Sequence, residues 1–152
     1  MIDLTIDVCV LISGSGKGGD RKVSNSCKSF MKKALKKDAL GLALDKRGKI
    51  RHQYESKLTE DSYGFYWLKE MASKERIAIV PWRNLDRGTS TALKEAHFDP
   101  EDYTYVITSA SSECKTIATH DPDYTDKVRR ILSRRIHVAV KWPQECIDCY
   151  CE

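Results

Sequence analysis

Asp7 sits inside the most apolar stretch of the chain, Ile2 to Ile12, and that placement constrains the fold more than any other feature. Ile2, Leu4 and Ile6 alternate with Asp3 and Thr5, and Val8 to Ile12 is almost wholly apolar. The pattern predicts a buried strand running into a first helical turn. An acid there is costly unless it is paired or holds a metal. Four further short apolar runs follow: Leu40–Leu44 ending at Asp45, Ile77–Val80 stopped by Pro81, Thr116–Thr119, and Ile136–Val140 before Pro143. Helical spacing lies between them at Val23–Lys37, Lys49–Leu58, Glu60–Ser73, Thr89–Ala96, from Asp99-Pro100-Glu101-Asp102 to Ala110, and at Tyr124–Leu132. Short strands alternating with helices imply right-handed crossovers and a parallel sheet covered on both faces. The expected class is α/β: a three-layer α/β/α fold around a mostly parallel, doubly wound sheet of four to five strands. One domain over residues 1–143 is expected, with a cysteine-bearing tail over 144–152. Thr59, Asp61 or Ser62 is expected to cap the Glu60–Ser73 helix, with Tyr63, Tyr66, Trp67 and Met71 packing inward.

At 152 residues, 41% hydrophobic and 32% charged, the chain is neither a disordered polymer nor a membrane bundle. No apolar run approaches the roughly 20 residues that span a bilayer. The first ten residues hold two acids and no base, unlike a secretory leader, so a cytoplasmic, reducing setting is expected. The six cysteines are accordingly read as thiols, with Cys9 and Cys27 as small core residues. A net charge of +4 hints at a polyanionic partner but is slight.

Several motifs fail on inspection. The loop Gly14-Ser15-Gly16-Lys17-Gly18-Gly19 resembles a phosphate cradle, yet a P-loop needs glycine where Leu11 stands and a hydroxyl where Gly18 stands. A surface loop is expected, with Lys17, Arg21 and Lys22 able to touch phosphates. Cys146-x-x-Cys149-x-Cys151 lacks a second ligand pair of the kind zinc uses, so loose thiols or a tail disulfide are favoured over a metal knuckle. No His-x-x-x-His pair and no Gly-x-Ser-x-Gly elbow occurs.

The acids remain. In open α/β sheets, ligands sit beyond the carboxyl ends of the strands, at the switch in strand order. Asp7 and Asp121 follow two strand candidates, and Asp102 opens the helix that feeds the Asp121 strand. Magnesium or manganese, as hard ions, prefer oxygen ligands converging from different elements, and they serve phosphodiester cleavage by activating water and offsetting charge on the leaving oxygen. Singly, Asp102 also reads as a helix N-terminal acid and Asp121 as a turn residue.

Asp7-Val8-Cys9-Val10-Leu11-Ile12-Ser13-Gly14 resembles the opening of PIN domains, D-x-N-V-L-[IV]-S-G, with Cys9 in the asparagine position. Thr119-His120-Asp121-Pro122-Asp123-Tyr124 resembles their later T-x-D-x-D-[FY], and Ile50-Arg51-His52-Gln53-Tyr54 a middle I-x-x-E-Y. The resemblance extends from about Ile2 to Val140. It implies a ribonuclease dependent on Mg²⁺ or Mn²⁺, with RNA as substrate. Asp7, Asp102 and Asp121 match the first, third and fourth acids, Asp123 is an auxiliary ligand, and Asp99 is the alternative third acid. Single-domain bacterial members of this size are often toxins of toxin–antitoxin or phage-defence systems, which implies an antitoxin or inhibitor protein as partner.

The second acid departs from the pattern, because Gln53 stands where glutamate is usual. An amide oxygen can coordinate a metal but brings no charge. Glu55 lies roughly 200° around the helix and replaces Gln53 only in a shifted register. Three readings stay open: an enzyme working with three acids, a nuclease-dead RNA-binding or scaffold protein, and a glutamate deliberately replaced by glutamine. A metal-linked oligomer, in its simplest form a homodimer, is a further reading of the tail. Arg51 and His52 beside the presumed cleft, with Lys17, are the expected RNA contacts. The clusters Lys32, Lys33, Lys36, Lys37 and Arg129, Arg130, Arg134, Arg135 read as solvated surface.

Overall fold

A computed structural model describes residues 1–17 and 20–152; Gly18 and Gly19 of the glycine loop lie outside the described residues. The strands are β1 (Ile2–Ile6), β2 (Leu40–Asp45), β3 (Ile77–Val80), β4 (Thr116–Ala118) and β5 (Ala139–Lys141). They form one five-stranded sheet in the order β3-β2-β1-β4-β5, with every pairing parallel. The helices are α1 (Val8–Gly14), α2 (Arg21–Lys36), α3 (Lys49–Lys57), α4 (Tyr63–Ser73), α5 (Arg87–Glu95), α6 (Tyr103–Ser111), α7 (Asp126–Ile136) and α8 (Pro143–Cys146). The fold is α/β with three layers. Strand order reverses direction between β1 and β4, and all five carboxyl ends share one edge of the sheet.

The apolar stretch at the start is divided by its acid. The last β1–β4 ladder bond runs from the Asp7 N–H to the Ala118 carbonyl. Asp7 then caps α1 by accepting from the Cys9 N–H at 3.2 Å. Val8–Gly14 is therefore helix, and its buried Val8, Val10 and Leu11 join the core. The buried acid within β1, Asp3, accepts from the Glu113 and Cys114 N–H groups and ties β1 to the α6–β4 connection.

α4 is capped by Ser62, and it packs through Gly64, Trp67 and Met71; the Trp67 indole donates to the Met31 carbonyl at 2.8 Å. Tyr66, expected on that face, is 51% exposed and stacks on Tyr63 instead. Gly64 marks the closest approach of α4 to α1: an added Cβ would lie 2.9 Å from the Leu11 carbonyl oxygen and from the Ser15 hydroxyl. Backbone cannot yield as a flexible side chain does. Gly64→Ala is expected to cost about 2 kcal/mol through overpacking, read as a lowered urea midpoint.

Three other expectations shift. The helix after Asp99 opens as a 3₁₀ turn over Pro100–Asp102 before α6, with Asp99 accepting from the Glu101 N–H. α7 starts at Asp126, because Thr125 is its cap, and runs on to Ile136. Ile136 therefore belongs to helix rather than to the last strand; His137, left-handed at φ 58°, ends α7, and β5 begins at Ala139. Residues 144–152 pack against the rest of the domain. α8 continues into a π-helical turn over Ile147–Cys151, Cys146 and Ile147 are buried, and the Tyr150 and Thr116 hydroxyls lie 2.9 Å apart. All six cysteines are free thiols; Cys27 and Cys146 are buried, and Cys149 is exposed. No described helix is long and apolar enough to cross a membrane.

Candidate metal centre

The crevice between the carboxyl ends of β1 and β4 collects the acids. Asp7 follows β1 directly, Asp121 follows β4 by three residues, and Asp102 sits where the 3₁₀ turn passes into α6. One carboxylate oxygen from each of Asp7, Asp102 and Asp121 lies within 4.8 Å of the others, a spacing that could hold a metal ion. Asp99, Asp102 and Asp123 form a second group by the same measure, so Asp102 links the two. Depth grades across the five: Asp7 is 3% exposed, Asp102 and Asp121 are half-buried, and Asp99 and Asp123 face solvent. None of the ion pairs among the described residues includes any of these acids.

Thr119 holds the centre together. Its hydroxyl donates to Asp7 Oδ2 at 2.8 Å and accepts from the Asp121 N–H at 3.0 Å. One oxygen atom thereby fixes the inner acid against the loop that carries the outer one. The Asp121 carboxylate accepts from the Asp123 N–H at 2.9 Å, which sets the turn. Cys9, expected in the core, is half-buried here with its Sγ 3.6 Å from the Thr119 hydroxyl. His120 Nε2 lies 2.9 Å from the Ser13 hydroxyl and 3.1 Å from the Cys9 carbonyl, anchoring the Asp121 loop to α1.

Crowding of like charge shows in the acidities. Burial, then the fields of Asp7, Asp121, Asp99 and Asp123, push the Asp102 carboxyl up to about 7. Burial also raises Asp7, against the opposing hydrogen bonds from Cys9 and Thr119. A carboxylate cluster without a counter-ion holds its charge only at a cost, and a divalent cation relieves that cost. The donor set is all oxygen, which suits a hard ion.

Gln53, on α3, reaches the edge of this centre through Tyr105. Its Oε1 accepts from the Tyr105 hydroxyl at 2.6 Å, and the Tyr105 oxygen accepts from the Val8 N–H at 3.2 Å. The hydrogen bonds thus join Gln53 to the capped start of α1 through Tyr105. Glu55 points elsewhere: it is exposed and pairs with Arg51 at 2.9 Å, so the shifted register does not occur. That pair turns both residues toward a separate cavity between α3 and α4. Lys17 donates to the Thr59 hydroxyl at 3.3 Å in the α3–α4 connection. Of the three expected RNA contacts, His52 alone shares a groove with Gln53. Among the described residues, the tail cysteines join no group of ligand atoms close enough to share an ion.

Tyr105 is not legible as a site residue, and Thr119 is legible only as the first residue of the T-x-D-x-D-[FY] resemblance, not as the group that links Asp7 to Asp121. A tyrosine inside a helix carries no local signal, and the contacts across 112 and 52 residues are what give Thr119 and Tyr105 their roles. No protein-family model, no curated protein and no solved structure matches the chain.

Proposed function

We propose that the chain is a divalent-metal-dependent endoribonuclease that hydrolyses RNA phosphodiesters at the β1/β4 crevice. The observation that carries this reading is the convergence of Asp7, Asp102 and Asp121 from three elements with no cation against them. These three would hold Mg²⁺ or Mn²⁺, with Asp123 able to assist from the rim. When bound, such an ion supplies an activated water and electrostatic relief at the leaving oxygen. The chain supplies the geometry: Thr119 fixes Asp7 relative to Asp121, and the α1 cap holds the other Asp7 oxygen. Preorganised ligands spend no reorganisation energy during the reaction.

The test is cleavage of single-stranded RNA by the purified chain with Mn²⁺ and with chelator. Mn²⁺-dependent cleavage is expected, and cleavage equal in chelator would overturn the reading. Gln53→Glu adds a carboxylate within hydrogen-bond reach of Tyr105. It is expected to keep or raise activity and to lower the Mn²⁺ concentration for half-maximal rate by about tenfold, or ~1.4 kcal/mol of ion binding. A wild-type chain that binds RNA without cutting it, beside a Gln53→Glu chain that cuts, identifies an RNA-binding protein with an impaired centre.

A further inference from the structure

The sheet ends in a tryptophan at both of its edges. Trp82 follows the edge strand β3 by two residues, and Trp142 follows the opposite edge strand β5 directly. Both lie on the carboxyl side of the sheet, where the acids are. Four strand spacings separate β3 from β5, about 19 Å, and the acid centre lies between them.

Each ring is half-exposed and accompanied by cations. Arg47 stands 4.9 Å and Lys49 5.6 Å from the Trp82 ring centre. Those two cations also line a groove of about 810 Å³ with His52, Gln53, Lys57, Thr104 and Glu101, the residue before Asp102. On the far side, the Arg129 guanidinium lies 5.1 Å over Trp142 and is itself held by the Val140 carbonyl and Glu145. Trp142 lines a smaller groove of about 290 Å³ with Lys22 and His120, the residue before Asp121. Each groove therefore includes a residue that precedes one of the acids, Glu101 in one and His120 in the other. Aromatic rings interleaved with Lys and Arg are what unpaired bases and their phosphates require: π-faces stack bases without regard to sequence, and the cations meet the backbone.

We propose that Trp82 and Trp142 are nucleobase platforms bracketing the acid centre, so that single-stranded RNA crosses the carboxyl edge of the sheet with a base stacked at each. The proposal rests on the reading of that centre as an RNA-cleaving site. It replaces Arg51 and Lys17 as substrate contacts by Arg47 and Lys49 on one flank and Lys22 on the other.

The test reads binding without chemistry. A short 5′-labelled oligouridine is titrated with the full chain in EDTA and followed by anisotropy. Trp82→Ala and Trp142→Ala are each expected to weaken binding by about 5- to 100-fold, and the phenylalanine variants by much less. The doubly substituted Arg47→Gln/Lys49→Gln chain is expected to lose about 1.4 from the slope of log affinity against log salt. Tryptophan emission gives an independent readout, because Trp67 is fully buried. The unlabelled oligouridine should quench the wild-type chain and leave the Trp82→Phe/Trp142→Phe chain unquenched. Phenylalanine keeps the packing, so a folding defect in the alanine chains does not obscure the result. Wild-type affinity in either alanine variant, equal loss for duplex RNA, or no binding by the wild-type chain would overturn the platforms. The two readings fail separately. Stacking at both rings without Mn²⁺-dependent cleavage leaves the platforms and removes the nuclease. Cleavage that survives both alanine changes unaltered does the reverse.

Discussion

Asp7→Asn is expected to reduce Mn²⁺-dependent RNA cleavage by about a thousandfold or more. Asp7 is the deepest acid of the centre, 3% exposed, and both of its oxygens are placed by the fold. On the proposed metal-dependent reading, removing its charge would remove several kcal/mol of metal-linked stabilisation, and each 1.36 kcal/mol is a factor of ten in rate. The substitution is nearly isosteric. With the amide oxygen accepting from the Cys9 N–H the α1 cap survives, and the amide NH₂ then donates to the Thr119 hydroxyl oxygen. Burial raises the Asp7 carboxyl, which means the native structure bears a cost for its charge, and the asparagine chain should melt no lower than wild type in chelator. Loss of cleavage with a retained melting temperature separates chemistry from folding. Asp121→Asn should behave alike. Thr119→Val should shift the Mn²⁺ dependence by about 10- to 100-fold, as loss of a ligand-orienting partner does. Undiminished, chelator-insensitive cleavage by Asp7→Asn would exclude the acid centre.

The legibility of this site in the sequence follows from where the physics is local. An acid inside an apolar strand is visible because its cost is set by its immediate neighbours, which is why Asp7 stood out. Asp102 and Asp121 are individually ordinary. They gained weight from topology, since parallel strands put their carboxyl ends on one edge and adjacent β1 and β4 bring those ends together. Helical rotation separates Gln53 from Glu55, and the Arg51–Glu55 pair shows the consequence. The errors have the opposite character. Ile136–Val140 reads as one apolar run, yet it contains a helix end, a left-handed His137 and a strand start. Apolarity alone does not distinguish these. Tyr66 fits the inward face of α4 by spacing but is displaced by the close approach at Gly64, which brings Trp67 inward. The burial of Cys146 and Ile147 is not legible either, because two residues make too short a pattern to register.

Stability should depend on pH and on divalent ions in a linked way that activity need not report. The Asp102 carboxyl is raised to about 7 in the folded chain and lies near 3.8 when unfolded. Below about pH 4 both states hold the proton and the acid costs nothing. Between about 4 and 7 the folded chain keeps a proton that the unfolded chain has released, so stability falls as pH rises. Above 7 both states are ionised and the full cost is present. Asp7, also raised, adds with the same sign. Asp102 is half-buried, so screening by solvent reduces the cost to about 1–2 kcal/mol, or about 2–6 °C in a domain of this size. In chelator, Asp102→Asn should therefore melt about 2–6 °C above wild type at pH 8 and equal to it at pH 4. A divalent cation acts on the ionised centre alone. Mn²⁺ should raise the wild-type melting temperature at pH 8, do little at pH 5 where Asp102 holds its proton, and do little to Asp102→Asn at either pH. The measurement is a melting series at matched ionic strength with Mn²⁺ or EDTA. Equal Mn²⁺ shifts at pH 5 and pH 8 would mean that the ion binds elsewhere. A wild-type chain no less stable than Asp102→Asn at pH 8 in chelator would mean that the five acids are not crowded as their spacing requires. The direction of these shifts is opposite to that of an ion-paired acid, which stabilises as pH rises, so the sign alone distinguishes an uncompensated acid pocket from a structural salt bridge.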